Sequence, residues 1–359
     1  MRQEVVVLTP NSSDFEPRTS AGAWGYRRVG RSDVDRLEQL TRALRATDHQ
    51  SGGGSCLSDL LSLIDRVQPM LTATSTELTR EQVRVAVADL HNLAGWACFD
   101  IGRPSRGRAH LTQALALAAH ARHTSLTANI FYRLGRICLH HKEPAEALYY
   151  FQLGLRTTTG ANSERAASIL TVNQAWAQAT MGNHTAALRL LQEGQELLAK
   201  AESTLVPGWE SFFNQIDLQA MTGVVHTELA RGVAARHAQT AIPALTEAID
   251  GYGDDMARSR AFCYIALATS HLLVGDRAPG VHAGLKALSC AENLTSIRVR
   301  DRIHPLHQVA RRNSAHTCVR ELTVRLAKEI GRTTERQFTT RISGNAASTL
   351  DTRDDRRGV

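Results

Sequence analysis

Residues 93–118 read LAGWACFDIGRPSRGRAHLTQALALA. Trp96, Cys98 and Asp100 stand within five residues, ahead of a glycine and an amphipathic run, so the cluster is either reactive chemistry or one unit of a repeated scaffold. The next eighty residues decide between them. RLGRICLHHKEPAEALYYFQLGLR (133–156) and NQAWAQATMGNHTAALRLLQEGQEL (173–197) keep the same spacing. Small residues fall at Gly95, Gly135 and Ala175, forty apart, and Cys98, Cys138 and Gln178 come three later. A first helix is expected to end at Gly102, Lys142 and Gly182. The second then carries small residues at Gly107, Ala147 and Ala187, larger ones at Leu111, Phe151 and Leu191, and Ala114, Gly154 and Gly194 after them. Periodicity of this kind is the signature of stacked helical hairpins. The opening cluster is scaffold.

The small residues have a packing reason. Antiparallel helices joined by a short turn approach closely only where side chains are small, and larger residues fill the gaps. Gly102 and Gly182 fit a left-handed helix cap, which glycine adopts without strain. Cys98 and Cys138 occupy equivalent core positions and read as small hydrophobes. Hydrophobic content of 43% fills a core, and alanine and leucine dominate over a sparse 5% of aromatics, which favours helix throughout. The reading is an all-α chain.

Two further hairpins come next. FFNQIDLQAMTGVVHTELARG (212–232) pairs with HAQTAIPALTEAIDGYG (237–253), with Gly223 and Ala241 in the small positions. SRAFCYIALATSHLLVGDRAPGVHAGLKALSCAEN (259–293) is the second, and SIRVRDRIHPLHQVARR (296–312) with HTCVRELTVRLAKEIG (316–331) closes the array, its arginines suiting the polar outer face of a terminal cap. Upstream, Ser32 and Asp35 suggest a capping box for a helix over 33–48, SGGGS (51–55) breaks it, a second helix spans 56–71, and Thr79 caps a long helix into Gly95. The chain thus divides into an irregular arm (1–30), N-terminal helices (31–78), helical repeats with a cap (79–330) and a disordered tail (331–359).

The order small, large, glycine, alanine, phenylalanine or leucine, alanine resembles the tetratricopeptide repeat. LGRICLHHKEPAEALYYFQLGL is the best copy, with Leu134, Gly135, Ala147 and Phe151 in the family positions. The period departs from the family's roughly thirty-four residues, which implies helices longer by about one and a half turns. The resemblance implies a right-handed superhelix of stacked antiparallel hairpins. Over residues 24–330, RRVGRSDVDRLEQLTRALRATDHQSGGG, LAGWACFDIGRPSRGRAHLTQALALA and SIRVRDRI are similar to actinobacterial, Streptomyces-like transcriptional regulators. Those join a phage-repressor-like helix-turn-helix domain to tetratricopeptide-like repeats that sense or dimerise. Only 23 residues precede Trp24, too few for such a domain, so the expectation is a sensor half working alone or a chain whose start omits the DNA-binding part.

Stacked hairpins leave a concave groove lined by their first helices. The expected groove residues are Asp89, Asn92, Trp96, Phe99 and Asp100 in the first repeat. The second gives Asn129, Tyr132, Arg133, Arg136 and His140, and the third Val172, Asn173, Trp176 and Thr180. Asn214, Asp217 and Glu228 extend the row. Asparagine amides can both donate to and accept from a peptide backbone, and the two tryptophans can anchor an apolar group. The competing reading has the N-terminal helices filling the groove.

Other chemistries find no support. No C-x-x-C links the six cysteines, and no carboxylate or cysteine completes a metal spacing around His120/His123, His304/His307 or His140–His141, so no metal or cofactor is expected. No nucleophile elbow, Walker loop or dinucleotide fingerprint occurs, and the reading is a non-enzyme. No apolar run approaches a membrane span or a signal peptide, and scattered cysteines suit the cytoplasm. A net charge of +7 and the run RVRDRIHPLHQVARR allow only weak or indirect DNA contact. The functional expectation is a regulatory helical-repeat protein that binds a peptide, small signal or protein partner in its groove and acts in transcriptional regulation. The alternative is a passive interaction scaffold or homodimerisation module without a small ligand.

Overall fold

A computed structural model describes residues 27–158, 163–201, 206–292 and 294–331. The arm before residue 27 and the tail after 331 lie outside them. Among the described residues there are fourteen α-helices and no strand, only one isolated bridge between Arg28 and Thr74. Three helices come first: α1 (Arg31–Ser51), α2 (Leu57–Val67) and α3 (Glu77–Asp100). After them stand α4 (Pro104–His120), α5 (Thr124–His140), α6 (Pro144–Thr157), α7 (Glu164–Thr180) and α8 (His184–Lys200). The remainder is α9 (Gln215–Gly232), α10 (Ala238–Gly251), α11 (Ala257–Val274), α12 (Arg277–Glu292), α13 (Ile297–Arg312) and α14 (317–331).

Five of the hairpins read from the sequence are present. The most extensive helix contacts pair α3 with α4, α5 with α6, α7 with α8, α9 with α10 and α11 with α12. Each odd-numbered helix from α3 to α11 also touches the next, through to α13. Proline opens α4 and α6, in the first turn where its missing N–H leaves no bond unmade. Gly102 and Gly182 end α3 and α7 with φ of +79°, and Lys142 takes the equivalent place at φ +63°. Arg122 repeats that turn between α4 and α5 at φ +49°, so the left-handed turns at 102, 122, 142 and 182 are spaced by multiples of twenty. In each, the following N–H reaches back to a helical carbonyl, as in Arg103 N–H to Cys98 O (2.8 Å) and Glu143 N–H to Cys138 O (3.0 Å).

The anchor residues meet as the spacing predicted. Gly135 faces the fully buried Phe151, and Gly95 faces Leu111 and the backbone of Gly107. Cys98 and Cys138 are buried, and burial pushes the Cys138 thiol up to about 12, far from a reactive thiolate.

Several local expectations are corrected. The first helix is started by Gly30, whose N–H donates to Asp33 Oδ2 at 2.9 Å, while Asp35 is taken by an ion pair with Arg31. Thr79 is not a cap: it is the donor to Thr76 Oγ1, the capping group of α3. The second helix stops at Val67 and finishes as a 3₁₀ turn over Gln68–Leu71, because Pro69 cannot continue the α-helical bonding. The arginines of α13 do not all face outward. Arg298 is 4% exposed and lies inside the molecule.

Candidate ligand-binding site

The odd-numbered helices enclose a cavity of about 970 Å³ including its mouth. The repeat places its walls. One position after the anchors Gly95, Gly135, Ala175 and Gly223 come Trp96, Arg136, Trp176 and Val224, all lining the space. Three before the anchors, Tyr132 and Ala220 line it too. α11 contributes Arg258, Phe262 and Cys263, and α13 adds Arg298 and Arg302, one helical turn apart on one face. His49 reaches the cavity from the end of α1.

Of the expected groove residues, Trp96, Tyr132, Arg133, Arg136, Asn173, Trp176 and Asp217 line this cavity. The asparagines are largely engaged by the protein itself. Asn92 Nδ2 donates to Asn129 Oδ1 at 3.0 Å, and Asn173 Nδ2 donates within its own helix to Ile169 O. Asn129 Nδ2 does hold a peptide carbonyl, that of Trp209 in the segment between α8 and α9. That segment lies across α5: Phe212 stacks on Tyr132 with ring centroids 5.7 Å apart, and Trp209 Nε1 donates to Ser125 Oγ at 2.9 Å. A stretch of this chain therefore occupies part of the surface expected to receive a foreign peptide.

The other expected residues have different work. Asn214 is exposed and caps α9, its Oδ1 accepting from Ile216 N–H at 2.7 Å, outside the cavity wall. Phe99 is buried between Trp96 and His140, and His140 bonds Asp301 at 3.0 Å. Asp89 pairs with Arg45, Glu228 with Arg231, Val172 packs against Gly194, and Thr180 bonds the Trp176 carbonyl.

Asp100 is the centre of a buried junction. Its Oδ2 accepts from Gly53 N–H (2.9 Å) and Arg258 Nη1 (3.0 Å); its Oδ1 accepts from Ser296 Oγ (2.7 Å) and Arg298 Nε (2.6 Å). Arg258 also binds Asp48 Oδ2 at 2.9 Å, so two guanidiniums face two carboxylates. These charges hold Asp48 and Asp100 well below the usual carboxylate range against the opposing effect of burial. The glycine run of 51–55 is what permits the approach: a Cβ on Gly53 would stand 2.7 Å from Ala97 Cα. Repeat spacing gives no sign of Arg258, Arg298 and Arg302 in the wall; an i, i+4 arginine pair beside the apolar stripe Val299–Ile303–Leu306 is the signal that marks the last two.

Buried rings and acids set a pH dependence. Burial lowers His49, His91 and His226 to about 4 each. The unfolded chain takes up these protons near the ordinary imidazole value of about 6.5. It therefore binds more protons than the folded chain between that value and about 4, and stability falls as pH falls through this window. Asp217, pushed up to about 6 by burial, works oppositely over part of it, but three imidazoles outweigh one carboxyl. Urea midpoints should decline from pH 7.5 to pH 5; a flat or rising series would mean that these rings are solvated.

Among the described residues one cluster has metal-like composition: Cys138, Glu143 and Glu146, with ligand atoms within 4.8 Å. Arg108 already lies there, 3.7 Å from Glu143 and 4.0 Å from the Cys138 sulfur, and the thiol stays protonated. The arrangement is that of a surface ion pair. No helix among the described residues is long and apolar enough to cross a membrane. The chain matches no protein-family model and no curated protein.

Proposed function

We propose that this protein is a regulatory ligand-binding protein. A small molecule held in the central cavity alters how the protein acts on transcription, through a partner rather than by direct DNA reading. One observation carries the reading. Aromatic faces and incompletely paired arginines from helices far apart in the chain converge on a single concave space, the mix of apolar wall and few polar groups that marks small-molecule sites. The junction at Asp100 and the segment holding Trp209 leave less room for a long peptide than an open groove would, which favours a compact ligand. We read the paired helices as a tetratricopeptide-like superhelix in the cytoplasm, of the kind found in helix-turn-helix regulators, and the cavity as a binding site without catalysis.

The test uses the intrinsic fluorophores Trp96 and Trp176. Fractionated cell extract titrated into the purified chain should give a saturable emission change together with a higher melting temperature, since ligand bound to the folded state alone stabilises it. Fractions that leave both signals flat would refute the reading.

A further inference from the structure

The five arginines that line the cavity differ in what neutralises them. Arg258 and Arg298 face Asp48 and Asp100. Among the described residues, Arg133, Arg136 and Arg302 have no carboxylate within ion-pair distance. Arg133 is 5% exposed, donates to the Asn92 carbonyl, and leaves its Nε with no hydrogen-bond partner. Arg136 donates only to the neutral Asn173 Oδ1 (3.1 Å) and Tyr132 hydroxyl (3.5 Å). Arg302 spreads its guanidinium over Trp176 and Phe262 at 4.4 and 4.5 Å from the ring centroids. Arg136 lies 4.6 Å from the same indole centroid, so α5 and α13 bring two cations to one ring. The nearby Glu228 is committed to Arg231 at 2.7 Å, and the only carboxyl among the described residues of the wall, Asp217, accepts the Tyr252 hydroxyl at 2.7 Å.

Like charges gathered in a desolvated space raise the free energy of the empty protein. Burial and the charge of Arg136 together lower Arg302 to about 9. An anion between the two guanidiniums would relieve that repulsion and use their planar donor forks, which match a carboxylate's two oxygens. The rest of the wall asks for a different chemistry. Trp96, Trp176, Phe212, Phe262, Met221 and Val224 offer apolar and π surface to the body of a ligand.

Resting on the reading that the cavity holds a ligand, we propose that the ligand is an organic carboxylic acid with a ring-bearing or aliphatic body, its carboxylate held between Arg136 and Arg302. The stacked guanidiniums would also retain a charge-dependent grip on other anionic heads, and a phosphate ester of the same body distinguishes the two. Calorimetric titration of the full chain would compare indole-3-acetate, 4-phenylbutyrate and decanoate with their primary amides, and with 4-phenylbutyl phosphate. At least one acid should bind about tenfold to a hundredfold more tightly than its amide, the range expected for losing charge-assisted hydrogen bonds. Amide binding equal to acid binding overturns the assignment, as does binding of no acid; a phosphate preferred over every acid overturns the carboxylate but keeps the anion.

Arg136→Met and Arg302→Met keep the apolar stems and remove the charges. Each should weaken acid binding by a similar factor while raising the melting temperature of the empty protein, because the repulsion is relieved. A variant that merely fails to fold would lower that temperature, so the two cases separate. Unchanged acid affinity in Arg136→Met/Arg302→Met with a cooperative melt overturns the proposal. The extract titration reports independently: an extract response without any acid response removes the carboxylate and leaves the ligand-binding reading standing.

Discussion

Asp100→Ala is expected to cost about 3–5 kcal/mol of folding stability, the scale for removing one partner of a buried charged network. The side chain is fully buried and takes four donors. Its loss leaves Arg298, 4% exposed, with no carboxylate, while Arg258 keeps only Asp48. Asparagine should rescue little. One of its two head atoms is an NH₂ group, which would confront either Gly53 N–H and Arg258 or Ser296 and Arg298, donor against donor. Urea denaturation followed by circular dichroism measures the loss. A cost below about 1 kcal/mol for both variants would mean that the junction is open to water.

The second large effect lies in the repeat itself and is a double-mutant cycle. A Cβ on Gly135 would stand 2.4 Å from Phe151 Cε1, with two further ring atoms inside 3.0 Å. Gly135→Ala should therefore cost about 1–3 kcal/mol through overpacking. Phe151 is fully buried, and Phe151→Ala should cost about 3–5 kcal/mol through the void it leaves. The third hairpin displays the alternative solution, Ala175 with Leu191, where the second has Gly135 with Phe151. Gly135→Ala combined with Phe151→Leu copies that pair and should be more stable than the sum of its single changes by about 1 kcal/mol or more, as expected for residues in contact. Additive costs would show that the ring moves aside freely and that the small residue does not set the helix approach.

What the sequence makes legible is local. Hairpin spacing, the left-handed turns at Gly102 and Gly182, and the close approach of Gly135 to Phe151 all stem from contacts between residues fewer than twenty apart, which periodicity encodes directly. Trp96, Arg136 and Trp176 are legible because they share one repeat position. The Asp100 junction is not, since Arg258 and Arg298 stand 158 and 198 residues further on, and nothing periodic marks where the chain returns. The arginines of α13 are expected outward because charge usually seeks water; here a buried carboxylate and two tryptophans hold Arg298 and Arg302 inside, while Arg311 and Arg312 stay exposed. Asn214 falls outside its expected place because it immediately precedes a helix, and the demand of free N–H groups for a cap outweighs its position in the asparagine row.

The same junction changes how the array should come apart. In an open stack each repeat touches only its neighbours, so terminal units fray first and stability grows one unit at a time. Here Thr295 N–H and hydroxyl both reach the Ser51 carbonyl, and Asp48 meets Arg258 across 210 residues. Neither terminal hairpin can peel away without exposing charges that belong to the other end. α1 and α13 thus inherit the cooperativity of the middle helices, and their amides are expected to exchange with solvent only when the whole array opens. A segment cut from either end then removes more stability than its own contacts contain, because it also unfastens the opposite end.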